Sequence, residues 1–162
     1  MDIRPALPAE APALSALGAR LFRETYGAQI PSPDLEAHIA SAYHPAAQLA
    51  EIQGGLVLVA VKGGEFYAYA HARAKEAPCA LPYSASREIA RFYVDSRWHG
   101  TGLANRLMAA SLFEAKGPVW LQVWGENPRA LRFYVKQGFQ DCGETTFQVG
   151  GIVYRDRVMI HG

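Results

Sequence analysis

Residues His99-Gly100-Thr101-Gly102-Leu103-Ala104 combine types and spacing suited to holding an anion. An apolar run ends just before them at Val94, and an amphipathic segment follows them through Lys116. Two glycines at a strand-to-helix junction let several backbone N–H groups point at one anion, and the positive end of the following helix dipole adds to the attraction. The chemistry predicted for this turn is pyrophosphate binding. A Gly-x-Gly turn also serves simply to join a strand to a helix, so the surrounding elements must decide.

Those elements follow from periodicity and punctuation. Leu14, Leu17, Leu21 and Phe22 recur at helical spacing after a short strand near Ile3, which predicts a first helix reaching Tyr26. Ser32 before Pro33 reads as the N-cap of a second helix, and a further short helix runs from Ala46 to Gly54-Gly55. Leu56–Lys62 and Glu65–Ala74 form a hairpin around Gly63-Gly64, and a Pro-containing loop over 75–86 feeds a strand from Glu88 to Val94. Beyond the glycine turn a helix ends at Gly117-Pro118, a strand spans Val119–Trp124, Asn127-Pro128 caps another helix, and two strands flank Gly150-Gly151. The pattern is mixed α/β, and with no linker or repeat it reads as one domain over 1–162.

The second half resembles the GNAT superfamily of acyl-CoA N-acyltransferases. That family's pyrophosphate signature, Gln/Arg-x-x-Gly-x-Gly/Ala, aligns with residues 99–104, with His99 in place of the leading Gln or Arg. Arg97-Trp98-His99-Gly100-Thr101-Gly102 fits the formula too, but it crowds Val94 and leaves Leu103-Ala104 outside the turn. A second family pattern, Asn-x-x-Ala-x-x-Phe-Tyr-x-x-x-Gly-Phe, matches at Asn127, Ala130, Phe133, Tyr134, Gly138 and Phe139. Glu88–Val94, Trp120–Trp124 and Phe22–Gly27 look like the bacterial spermine/spermidine acetyltransferase branch. The resemblance implies a GNAT fold, a central twisted mixed sheet of about seven strands flanked by helices and splayed between the fourth and fifth.

It also implies roles. Acetyl-CoA would lie along the backbone of Phe92, Tyr93 and Val94, with its pyrophosphate on His99, Gly100, Thr101, Gly102, Leu103 and Ala104 and with Asn127 and Lys136 nearby. Asn127 is equally suited to N-capping, and Lys136 to being a solvated helix lysine. Tyr134 matches the family's acid for the leaving thiolate, a phenol near pKa 10 acting on a thiol near 8.5. An amine acceptor with pKa near 10.4 needs about 4 kcal/mol to reach its free base at pH 7.4, so a proton acceptor is required. Glu88 sits where some members carry that carboxylate, although pairing with Arg87 or another cation would explain it as well. Ala90 stands where related polyamine enzymes often carry a second carboxylate. Phe22, Glu24, Tyr26 and Trp124 fall on the expected acceptor wall.

Composition narrows the class. The formal net charge is +1 with no long basic tract, so nothing calls for nucleic acid or an anionic membrane. The Leu56–Val61 run is too short to span a bilayer, and the first residues lack a signal-peptide pattern, which makes the cytoplasm the expected location. Cys79 and Cys142 lack metal-ligand spacing and read as free thiols, Cys79 being the more exposed, and the five histidines form no metal cluster. The expected function is transfer of an acetyl group from acetyl-CoA, without a metal, to a primary amine, best a polyamine, by direct attack in a ternary complex. A homodimer is compatible with this reading. Its rivals are acetylation of a protein N-terminus, amino acid or aminoglycoside-like drug, and a CoA-binding sensor without turnover. A dinucleotide-binding turn fits less well, since Asn105 stands where a third glycine would fall.

Overall fold

The strand Leu56–Lys62 is apolar at consecutive positions, so both of its faces must be covered. A computed structural model, which describes residues 1–162, shows how. Strands β1 (Asp2–Pro5), β2 (Leu56–Lys62), β3 (Glu65–Ala74), β4 (Arg87–Val94), β5 (Val119–Trp124), β6 (Gln140–Val149) and β7 (Ile152–His161) build one sheet in the order β1-β2-β3-β4-β5-β7-β6. Five helices flank it: α1 (Ala11–Tyr26), α2 (Ser32–Ala42), α3 (Pro45–Gly54), α4 (Leu103–Ala115) and α5 (Pro128–Lys136). Val57 and Val59 pack with Leu14, Leu17 and Leu21 of α1 and with Leu35 and Ile39 of α2. Leu58 and Ala60, on the opposite face, pack with Leu103 and Leu107 of α4. Leu14 and Leu107 are fully buried, and burial of such a side chain contributes about 1.5–3 kcal/mol.

The feature that positions the site is the parting of β4 from β5. All strand pairs are antiparallel except this one, which is parallel and holds only at Glu88↔Trp120 and Ile89↔Leu121. On its other edge β4 stays paired with β3 as far as Ala68↔Val94, with a register shift that leaves Ala90 as an extra residue between Ile89 and Arg91. Such a bulge bends its strand and increases local twist. Thus β4 turns away from β5 directly after the last shared pair, and the expected splay is present.

Some local details differ from the sequence expectation. Helix α2 begins at Ser32 without a side-chain cap, whereas α3 is capped by His44, whose Nδ1 accepts the Ala47 N–H at 3.2 Å. Helix α4 ends with Lys116, not Gly117, in the left-handed conformation, at φ 55°. Pro118 biases the residue before it towards extended backbone, so the turn falls one position earlier. Cys79 and Cys142 are both half-buried and pack against Trp120, Val158 and Ile160. No helix is long and apolar enough to cross a membrane.

Candidate active site

The splay opens a cleft of about 570 Å³ running from the glycine turn, at His99 and Ala104, along β4 to Asn127 and Tyr134. Past Ile89, the edge of β4 that faces β5 has no strand partner, so its backbone is available to a ligand. Phe92, Tyr93 and Val94 line the cleft. A second cavity, of about 250 Å³, shares Tyr26, Ala90, Arg91, Tyr93, Gln122 and Trp124 with the first. The two spaces therefore meet where the strands separate.

At one end the turn has the geometry of an anion cradle. Gly100 and Gly102 have φ of 77° and 84°, left-handed values that favour glycine, and no atom lies within 4 Å of where a Cβ would stand on either. The first-turn amides of Leu103, Ala104 and Asn105 precede the first intrahelical bond, Arg106 N–H to Gly102 carbonyl at 3.1 Å. Donors with open space before them at a helix N-terminus fit a pyrophosphate. The Leu103 side chain is buried in the core, which leaves only its backbone for a ligand, and the Thr101 hydroxyl donates to the Trp98 carbonyl at 2.7 Å. Nε2 of His99 donates to the Val94 carbonyl at 2.8 Å, so this ring caps the end of β4. Asp95 anchors the junction from beneath. It is 1% exposed, accepts the Arg97 N–H at 3.0 Å, and meets the Arg97 and Arg20 guanidinia at 2.8 Å each. Hydrogen bonding from Arg97 above all holds its carboxyl well below the usual range.

Helix α5 supplies the other end. The Asn127 Oδ1 accepts the Ala130 N–H at 3.2 Å, so the capping role is realised by a residue that also lines the cleft. Tyr134 points inward, with its ring centroid 6.3 Å from Phe92, 5.4 Å from Phe133 and 5.6 Å from Phe139. Burial, followed by the charge on Tyr26, pushes its phenol above the ordinary value. Lys136 is exposed at the far end of the helix and does not line the cleft.

The second cavity has aromatic walls, including Phe22, Tyr26, Trp124 and Phe147. Of the four residues expected on the acceptor wall, Phe22, Tyr26 and Trp124 line this cavity, whereas Glu24 lines the larger cleft and pairs with Arg20 at 2.8 Å. Burial pushes the Tyr26 phenol up to about 12. Glu88 lines this cavity too, but its partner is not the neighbouring Arg87. Arg73 Nε donates to its Oε2 at 2.8 Å and Lys75 Nζ lies 3.8 Å from the same oxygen. Arg91 is likewise committed, with its guanidinium 2.8 Å from Glu51 and 4.3 Å above the Tyr43 ring. Sequence reasoning missed Arg73, Lys75, Gln122 and Asp156. A signal for Asp156 existed: it alternates with Tyr154, Val158 and Ile160, which places it on the buried face of β7.

Comparison with known proteins bears on the family and the fold. The model of the acetyltransferase (GNAT) family matches residues 19–139. An uncharacterized N-acetyltransferase of Mycobacterium tuberculosis is 40% identical over 77 residues, 45% of this chain and 49% of that protein. The spermine/spermidine N(1)-acetyltransferase of Bacillus subtilis is 33% identical over 63 residues, 35% of this chain and 41% of that protein. The chain thus spans about half, or less, of the length of the curated relatives it matches. Among solved structures, the PaiA N-acetyltransferase of Thermoplasma acidophilum in complex with coenzyme A superposes with a TM-score of 0.74 at 17% identity, covering 98% of this chain and 96% of that one.

Proposed function

Since the chain belongs to the acetyltransferase (GNAT) family, we propose that it transfers an acetyl group from acetyl-CoA to a primary amine of a small molecule by direct attack in a ternary complex. The observation that carries this reading is the junction of the two cavities at the β4–β5 splay, which lets a thioester in one meet an amine in the other. The bound coenzyme A of the Thermoplasma relative supports the ligand. Acetyl-CoA supplies an activated acetyl group. The amides of the glycine turn and the first turn of α4 hold its pyrophosphate, and β4 backbone groups freed by the splay orient its arm. Tyr134, kept protonated by burial, donates a hydrogen bond to the departing sulfur.

The acceptor cavity carries Glu88 and Asp156 against Arg73, Lys75 and Arg91. A polyamine, the acceptor suggested by the partial likeness to the Bacillus enzyme, would bring several cations into a space where the charge of Glu88 is already opposed. The inventory favours an amine with one ammonium group. Thiol-release rates with acetyl-CoA and a panel of monoamines, spermidine, amino acids, peptides and aminoglycosides test the proposal. Turnover is expected to be highest with a monoamine. A clear preference for spermidine would reverse the acceptor assignment, and no thiol release with any amine would overturn acetyl transfer.

The pairing of Glu88 with Arg73 supports its reading as a wall residue rather than a free base. Glu88→Gln is expected to reduce kcat/KM by less than about 10-fold and to leave the pH profile in place, whereas removal of a general base would cost roughly 10²–10⁴-fold. The partner Arg73 is half exposed, so solvent screening limits the stability loss to about 1 kcal/mol. Rate profiles and thermal unfolding check both expectations.

A further inference from the structure

Asp156 lies on β7 opposite Trp124 and is only 5% exposed, yet it faces the acceptor cavity. Gln122 Nε2 donates to its Oδ2 at 2.8 Å and is held in turn against the Thr146 carbonyl at 3.2 Å. Oδ1 is buried and has no partner. Leaving such an acceptor unsatisfied costs about 1–3 kcal/mol, which points to a donor brought by a ligand. The rings around it suit a cation: Trp124 stands 6.2 Å from Tyr26 and 6.1 Å, edge-on, from Tyr154. Aromatic faces attract an ammonium, and a carboxylate oxygen accepts one of its N–H bonds.

Resting on the acetyl-transfer reading, we infer that Asp156 binds the ammonium group of the acceptor and takes its first proton. The acceptor is then a monoamine on an apolar body that fits the aromatic cavity. Burial raises the carboxyl of Asp156 above its ordinary value, against the lowering effect of Gln122, which makes it a better proton acceptor than an exposed aspartate. The ionisable groups facing the same space are Tyr26, His38, Tyr43, Arg73, Lys75, Glu88, Arg91 and Tyr93. Glu88 and Arg91 are neutralised by their own pairs, and burial lowers the basicity of His38. Arg155 and Arg157 project from the other face of β7, the latter onto Asp141. Of the two protons the ammonium sheds, one passes to Asp156 and then to solvent, and the other ends on the leaving sulfur beside Tyr134. A C–N bond forms and the C–S bond breaks, so ammonium plus thioester gives amide, thiol and one proton.

The test compares Asp156→Asn with the wild type, using the best monoamine from the panel. The substitution is expected to lower kcat/KM by roughly 10²–10⁴-fold, remove the acidic limb of its pH profile, and leave acetyl-CoA affinity unchanged. Activity within about 3-fold of wild type with the same profile would overturn the inference. A wild type that releases no thiol with any amine would instead defeat the acetyl-transfer reading itself. A second measurement needs no variant. The alcohol analogue of the monoamine should compete at least about 10-fold more weakly than the amine, because it lacks the charge-assisted bond, and equal affinity would overturn the inference even if Asp156→Asn does not fold.

Discussion

Replacing Tyr134 with phenylalanine is expected to lower kcat by roughly 10²–10⁴-fold while leaving the dissociation constant of acetyl-CoA nearly unchanged. The ring is held by Phe92, Phe133 and Phe139, and phenylalanine keeps those contacts, so packing is preserved while the hydroxyl is lost. Tyr134 lines the larger cleft. With its pKa raised by burial the phenol stays protonated across the physiological range, so in the proposed reaction it would act on the sulfur by a hydrogen bond more than by complete transfer. The loss therefore belongs in kcat, where an interaction made as charge develops is read. Stopped-flow turnover with calorimetric acetyl-CoA binding separates the two effects. Equal losses in rate and affinity would make Tyr134 a packing or binding residue.

Gly102→Val should act in the opposite sense, on affinity first. The residue has φ 84°, a conformation a β-branched side chain adopts at a cost of roughly 1–2 kcal/mol, and stability is expected to fall by about that amount. No protein atom stands within 4 Å of the new Cβ, so nothing in the free protein is displaced. Its methyl groups would instead occupy the space that phosphate oxygens must enter to reach the amides of the first turn of α4. A rise of roughly 10–10³-fold in the acetyl-CoA dissociation constant follows from losing a few charge-assisted hydrogen bonds, with thermal unfolding showing a folded protein. An unchanged calorimetric affinity would place the pyrophosphate elsewhere.

What could be read before the fold was known depended on how local its cause was. The glycine turn, the Asn127 cap and the apolar face around Tyr134 are written in neighbouring residues, and the structure places them along one cleft. The hairpin around Gly63-Gly64 follows from turn chemistry, and the covering of both faces of β2 from its unbroken apolar run, in the same way. Glu88 shows the limit. Its spacing from Val94 suggested a base, but its environment is set by Arg73 and Lys75, which reach it only through the β3–β4 pairing. Asp95 was likewise invisible as an anchor, because Arg20 comes from a helix 75 residues earlier in the chain. Asp156 carried a local signal, a carboxylate on the apolar face of a strand, yet its position against Trp124 and Gln122 depends on the insertion of β7 beside β5. Lys136 lies outside the cleft for a simpler reason: helical rotation past Tyr134 turns it outward.

One measurement separates a chain that joins an acetyl group to an amine from one that merely holds acetyl-CoA. It incubates the wild-type protein with acetyl-CoA and each amine of the panel, then quantifies free thiol and N-acetylated product by mass spectrometry in the same sample. Equal amounts of the two are expected, at a rate that saturates in both substrates and is highest for a monoamine. Tight acetyl-CoA binding with no acetylated amine from any member of the panel would contradict acetyl transfer and leave a binding protein in its place.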